Sequence, residues 1–231
     1  MRPKTFAQTV ARIAAPLAAL IALSLAAPLA LTATREMPPE TWEGLKLVKR
    51  PGLDTVYLRE GASLAKYRSV MLDPVEVSFD KNWNPRRGPG LYDEADPQEI
   101  RQNLSKLARE VFRRELEKKG GYPLVEQPGD DVLRVRAQIV DLYINAPEPR
   151  AASPTRVYVL DAGEMTLVAE LYDSRTNTLL ARVIDRERGL ERGLNEFQIA
   201  NRVTNTAEAD RIISNWARRL KSALDKARAG G

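Results

Sequence analysis

The chain has 231 residues, 36 Lys and Arg against 31 Asp and Glu, and neither Cys nor His. The missing Cys removes disulfides, thiol nucleophiles and thiolate-held metals; the missing His removes imidazole bases and imidazole ligands. An enzyme built from this sequence has to work with carboxylates, Lys, Tyr, Ser or Thr.

Arg2, Lys4 and Arg12, with no acid among them, precede 21 uncharged residues at 13–33. This is the pattern of a secretory signal peptide, and the same stretch reaches the ~20 residues needed to span a bilayer as a helix. Residues 1–33 are therefore read as a cleaved signal peptide or a retained N-terminal anchor. Both place the body outside the cytoplasmic membrane, and the second anchors it in the inner membrane. Without residues 1–33 the body carries 33 bases against 31 acids, with the signs interspersed. No basic stripe with interleaved aromatics remains, so nucleic acid is not an expected partner.

Residues 34–41, with Pro38 and Pro39, read as a linker, and 42–228 as one domain. Trp42, Leu45 and Leu47 tack its start onto the core, and Thr55–Leu58 is a strand candidate. Tyr67–Phe79 predicts a strand whose apolar phase slips by one residue at Asp73-Pro74, which signals a bulge or an edge crossing. Residues 82–96 (NWNPRRGPGLYDEAD) are dense in turn formers and predict an exposed loop. Asp96, Pro97 and Glu99 then form a helix start. Ile100, Leu104, Leu107, Ala108, Val111, Phe112 and Leu116 make an amphipathic stripe, and Gly120-Gly121 ends it.

Tyr122–Val125 is a short strand candidate. Val132–Ile144 alternates Leu133, Val135, Ala137 and Ile139 with Arg134, Arg136 and Gln138, as a strand with one dry and one wet face does. Its phase slips at Ile139-Val140. Residues 156–173 predict a strand with a break at 161–163. With the turn at 174–177 and the return at 178–186, they form a β-hairpin. Residues 187–206 read as a loop. Asn205 and Glu208 predict the start of a last helix that carries Ile212, Ile213, Trp216, Leu220 and Leu224. The order of elements predicts an α+β domain: a mostly antiparallel or mixed sheet of about five or six strands, with two amphipathic helices on one face.

Few residues suggest chemistry. Asp161 and Glu164 flank the strand break, and Asp73 and Asp141 sit beside the phase slips; paired carboxylates serve glycoside hydrolysis. Against this, an Asp at a bulge bonds nearby backbone. Asp93, Glu94 and Asp96 cluster without the spacing or Gly of a calcium loop, and capping explains Asp96 better. Arg86 and Arg87, flanked by Trp83 and Tyr92, and Arg186, Arg188 and Arg192 offer cations to headgroups or acidic polymers. Asp185, Glu187 and Glu191 interleave with the second set and suggest a solvated charged face. No catalytic, cofactor-binding or metal residue is assigned, and no cofactor is expected.

The blocks WEGLKLV (42–48), LDTVYLREGASLAKYRSVMLDPVEVSFDKNW (53–83), DVLRVRAQIVDLYINAPE (131–148), RVYVLDAGEMTLVAELYDSRTNTLLARVIDR (156–186) and RVTNTAEADRIISNWARRL (202–220) resemble the bacterial domain-of-unknown-function family 3313. The resemblance implies an exported envelope protein, usually a lipoprotein, with no assigned activity. The lipidated Cys of that pattern is missing here. The expected function is that of a non-catalytic interaction module with envelope proteins or envelope components as partners, acting through loops 82–95 and 187–205. The alternatives are a carboxylate hydrolase of cell-wall glycans and a carrier of a small ligand or lipid in an apolar cavity between sheet and helices.

Overall fold

A computed structural model describes residues 37–41, 43–83, 96–144, 158–159, 163–189, 198–199 and 202–230. The predicted leader at 13–33 lies outside them. Among the described residues no helix is long and apolar enough to cross a membrane. The chain divides between Met37 and Pro38. Residues 38–41 bond to the first strand and its neighbour: Leu47 donates to the Pro39 carbonyl at 2.8 Å, and the Tyr57 hydroxyl to that of Pro38 at 2.9 Å.

The body is α+β, with strands β1 (Leu45–Val48), β2 (Thr55–Arg59), β3 (Ser69–Leu72), β4 (Glu76–Phe79), β5 (Val132–Ile144), β6 (Tyr158–Val159), β7 (Gly163–Asp173), β8 (Leu179–Arg188) and β9 (Gln198–Ile199). Helix α1 spans Pro97–Glu117 and α2 spans Arg202–Gly230. Seven strands form one mixed sheet in the order β1-β2-β8-β7-β5-β3, with β4 also on β5; β6 and β9 pair separately. The count exceeds the expected five or six because the short Leu45–Val48 segment pairs as a full edge strand and the long predicted strand at Pro74 divides in two.

That division explains the phase slip. β3 and β4 both run parallel to β5, at Ser69↔Val132 to Leu72↔Val135 and again at Glu76↔Gln138 to Phe79↔Leu142. Proline cannot donate to the ladder, so pairing lapses at Pro74–Val75 and resumes one phase later. The second slip is a bulge between Val140 and Tyr143, where Asp141 takes a φ of 52°. An Asp tolerates this left-handed conformation better than most residues. Tyr122–Val125 is not a strand. It supplies a single bridge, Leu124 to Val70, because Val70 is the one residue of β3 that it meets. Helix α2 begins at Arg202, three residues before the predicted Asn205 cap. A capping signature marks where a helix is able to start, and here helical geometry extends past it.

Both helices cover one face. Leu133, Val135, Ala137 and Ile139 of β5 join Leu104, Ala108, Val111, Phe112 and Leu116 of α1 in the core. Ile212, Ile213, Trp216, Ala217 and Leu224 of α2 complete it. These side chains form the core between sheet and helices. A smaller cluster, Leu45, Tyr57 and Leu179 with Tyr172 against it, sits on the other face near the β1 edge.

Gly163 opens β7 with a φ of +127°, and a β-carbon there would stand 2.0 Å from the Tyr143 carbonyl oxygen. Only glycine fits both the backbone and the contact. Gly163→Ala is expected to cost more than about 2 kcal/mol in denaturant unfolding. A loss below about 0.5 kcal/mol, the size of a neutral surface change, would disprove the close approach.

Candidate functional site

The face of the sheet opposite the helices holds the wet residues of the alternating strands. Register sets Arg134 and Arg136 opposite Tyr172 and Glu170, and Glu170 opposite Arg182. The Arg134 Nε donates to Asp73 at 3.0 Å. Arg182 donates to Glu170 and to Glu43, both at 2.7 Å, and the Tyr172 hydroxyl donates to Glu170 at 2.6 Å. The Arg136 guanidinium lies 5.2 Å from the Tyr172 ring centre. Burial pushes the Glu170 carboxyl up, but Tyr172 and Arg182 outweigh it and hold the carboxyl below its ordinary range. This face is a ladder of paired charges, which gives little net attraction for an ion.

Glu164 belongs to it. The sequence suggests this residue as half of a catalytic pair, and the structure sets it between Arg186 and Arg188. Burial raises its pKa, and the two guanidinium groups overcome that and lower it. A carboxyl held ionised in this way does not serve as a general acid. Asp161, its proposed partner, lies outside the described residues, as do Arg86, Arg87, Tyr92, Asp93, Glu94, Glu191 and Arg192.

Other predicted residues have structural roles. Asp73 binds Arg134, and Asp96 caps α1 by accepting from the Gln98 amide at 2.8 Å. Trp83 stacks on Phe79 with ring centres 4.1 Å apart and donates to the Ile144 carbonyl, so it packs the start of its loop. Asp185 corrects the expected solvated charged face. It is buried at 3% exposure and accepts from the Trp216 indole at 2.8 Å and from Arg219 at 2.7 Å. It falls in the inward phase of β8, after Ala181 and Val183, and α2 covers that side. Among the described residues no cluster of three or more possible ligands is placed to hold a metal ion.

Among the described residues a groove of about 700 Å3 lies between α1 and the β3–β4 edge. Leu72, Pro74, Val75 and Val77 form its apolar floor. Its wall is the flank of α1 that carries Arg101, Gln102, Ser105, Lys106 and Arg109. Helical spacing puts these residues on one side, next to the apolar stripe. Arg109 is engaged, donating to the Leu72 carbonyl at 3.1 Å and to Glu126. The Arg101 guanidinium lies 5.1 Å from the Phe79 ring centre. Among the described residues no carboxylate pairs with Arg101 or Lys106. Loop composition directed the sequence reading elsewhere. The available signal was the basic band on α1 together with the displaced valines after Pro74.

A family description, protein of unknown function DUF3313, matches residues 41–220. No curated protein matches the chain. Among solved structures, a protein from Xanthomonas campestris assigned to family DUF330 is similar over 74% of this chain and 92% of its own, at 12% identity and a TM-score of 0.43. The PelC dodecamer from Paraburkholderia phytofirmans is similar over 72% of this chain and 96% of its own, at 11% identity and a TM-score of 0.37. Likeness at this level carries nothing about activity.

Proposed function

Given that the chain belongs to the DUF3313 family of proteins of unknown function, we propose that it is an exported envelope protein that works by binding a partner at the α1–β4 groove rather than by catalysis. The observation that carries the reading is the groove itself: an apolar floor beside Arg101 and Lys106, which no described carboxylate neutralises, with the Arg109–Glu126 pair at its side. A concave apolar floor flanked by unpaired cations is a surface that a partner can fill. The leader-like segment at 13–33 supports export. In the hydrolase alternative the lowered pKa of Glu164 leaves it the base or nucleophile role and assigns the acid to another residue.

The test is site-specific photo-crosslinking in intact cells. A benzophenone amino acid at Gln102 or Ser105 is expected to give a discrete adduct, whereas one at Arg175, 61% exposed near the hairpin tip, gives none. Adducts from all three positions, or from none, would remove the groove reading. Recovery of the full-length chain from the cytoplasm would remove export.

A further inference from the structure

We infer that the groove takes an extended, acidic peptide segment of a partner protein, which adds to the sheet as a strand alongside β4; this rests on the binding reading above.

The outer edge of the sheet is treated differently along its length. At β3 the chain seals it: Val70 donates to the Pro123 carbonyl at 3.0 Å and accepts from the Val125 amide at 2.9 Å, and Arg109 takes the Leu72 carbonyl. At β4 the seal stops. The Asp73 amide donates to the Val135 carbonyl, and the Asp80 amide to that of Leu142, so these residues face β5. Alternation from Asp80 turns the backbone groups of Val77 and Phe79 outward. Among the described residues nothing pairs with them. Proteins blunt or cover their edge strands as a rule, and an uncovered one is a template for another strand.

The groove lies directly against that edge, and it selects the occupant. A strand added to β4 points alternate side chains to the helix side of the sheet, over Val75 and Val77 and beneath α1. Short apolar residues suit the floor. Arg101 and Lys106 stand at the wall and favour carboxylates on the incoming chain. Backbone pairing explains why a peptide fits better than an anionic lipid, which has no amide groups to offer Val77.

The experiment uses the isotope-labelled protein, a soluble ten-residue Glu peptide, its Lys counterpart, and phosphatidylglycerol vesicles. The peptide has Thr at every second position and Val and Glu in turn at the others, so that one strand face offers both the floor and the α1 cations a partner. The Glu peptide is expected to bind with a Kd below about 1 mM. It should shift and protect from exchange the amides of Val77 and Phe79, and weaken with salt. Val77→Pro removes an outward donor and Val77→Ala removes the same side chain while keeping that donor; the Pro variant is expected to raise the Kd at least about tenfold above that of the Ala variant, with melting curves recorded for both. Arg101→Glu with Lys106→Glu is expected to reverse the preference in favour of the Lys peptide. Amides of Val77 and Phe79 already protected in the free protein, Glu-peptide shifts that leave both untouched, the same Kd in Val77→Pro as in Val77→Ala, or vesicle binding in place of peptide binding would each overturn the strand proposal. A groove adduct in cells together with any of these results leaves the binding reading standing and rejects only the added strand.

Discussion

Asp185→Ala is expected to lower the unfolding free energy by about 3 kcal/mol, the lower end of the range for breaking a buried pair. The lower end applies because Arg219 is a third exposed and recovers water when its partner is removed. The indole of Trp216, 3% exposed, has no such recourse, and the Asp54 amide also loses its acceptor, at 3.1 Å. Asp185→Asn keeps an acceptor oxygen and should lose about half as much. In a double-mutant cycle with Trp216→Phe, the coupling should be about 1 kcal/mol. Urea unfolding of the four proteins measures it. A loss of less than about 0.5 kcal/mol in Asp185→Ala would show that the network contributes nothing.

Asp173 sets the second large effect, and it depends on pH. Its carboxylate accepts from Lys66 at 2.5 Å, from the Thr176 amide at 2.9 Å, and from the Tyr67 hydroxyl at 3.0 Å. The Lys66 ammonium first, then the Thr176 amide, hold its pKa well below the ordinary carboxylate range against the opposing push of burial. Because the folded value is depressed, the folded state binds the proton less readily than the unfolded chain does. The stabilisation is therefore complete above the unfolded pKa of about 4 and is lost as pH falls through the folded value. Asp173→Asn is expected to cost about 2 kcal/mol at pH ~7, and the gap to the wild type should narrow at pH ~2.5. A gap of equal size at both pH values would mean that shape rather than charge explains the loss.

Both aspartates were legible in principle. In β7 the inward phase runs Met165, Leu167, Ala169, Leu171, Asp173, and in β8 it runs Ala181, Val183, Asp185. A period-two count puts both acids on the core side, but composition alone reads an acid near a strand end as solvated. The helices and the hairpin follow from local periodicity and turn chemistry, which a sequence displays directly. The slips at Pro74 and Asp141 were visible as phase changes. What they did to the sheet was not, since parallel pairing of β3 and β4 with β5 depends on the path through α1. The groove was invisible for the same reason: its floor and wall lie on separate elements, and only tertiary packing brings Val77 beneath Arg101 and Lys106.

The strand order places β2 against β8, so Thr55 meets Ile184 and Val56 meets Val183. The same β8 carries the carboxylate that fastens α2. A chain that stops short of residue 202 already has β8 to pair with β2 but lacks the second helix, so Asp185 has neither Trp216 nor Arg219 to bind, and β2–β8 pairing across more than 120 residues is itself slow to form. Closing the core over β8 is therefore the step that waits for α2.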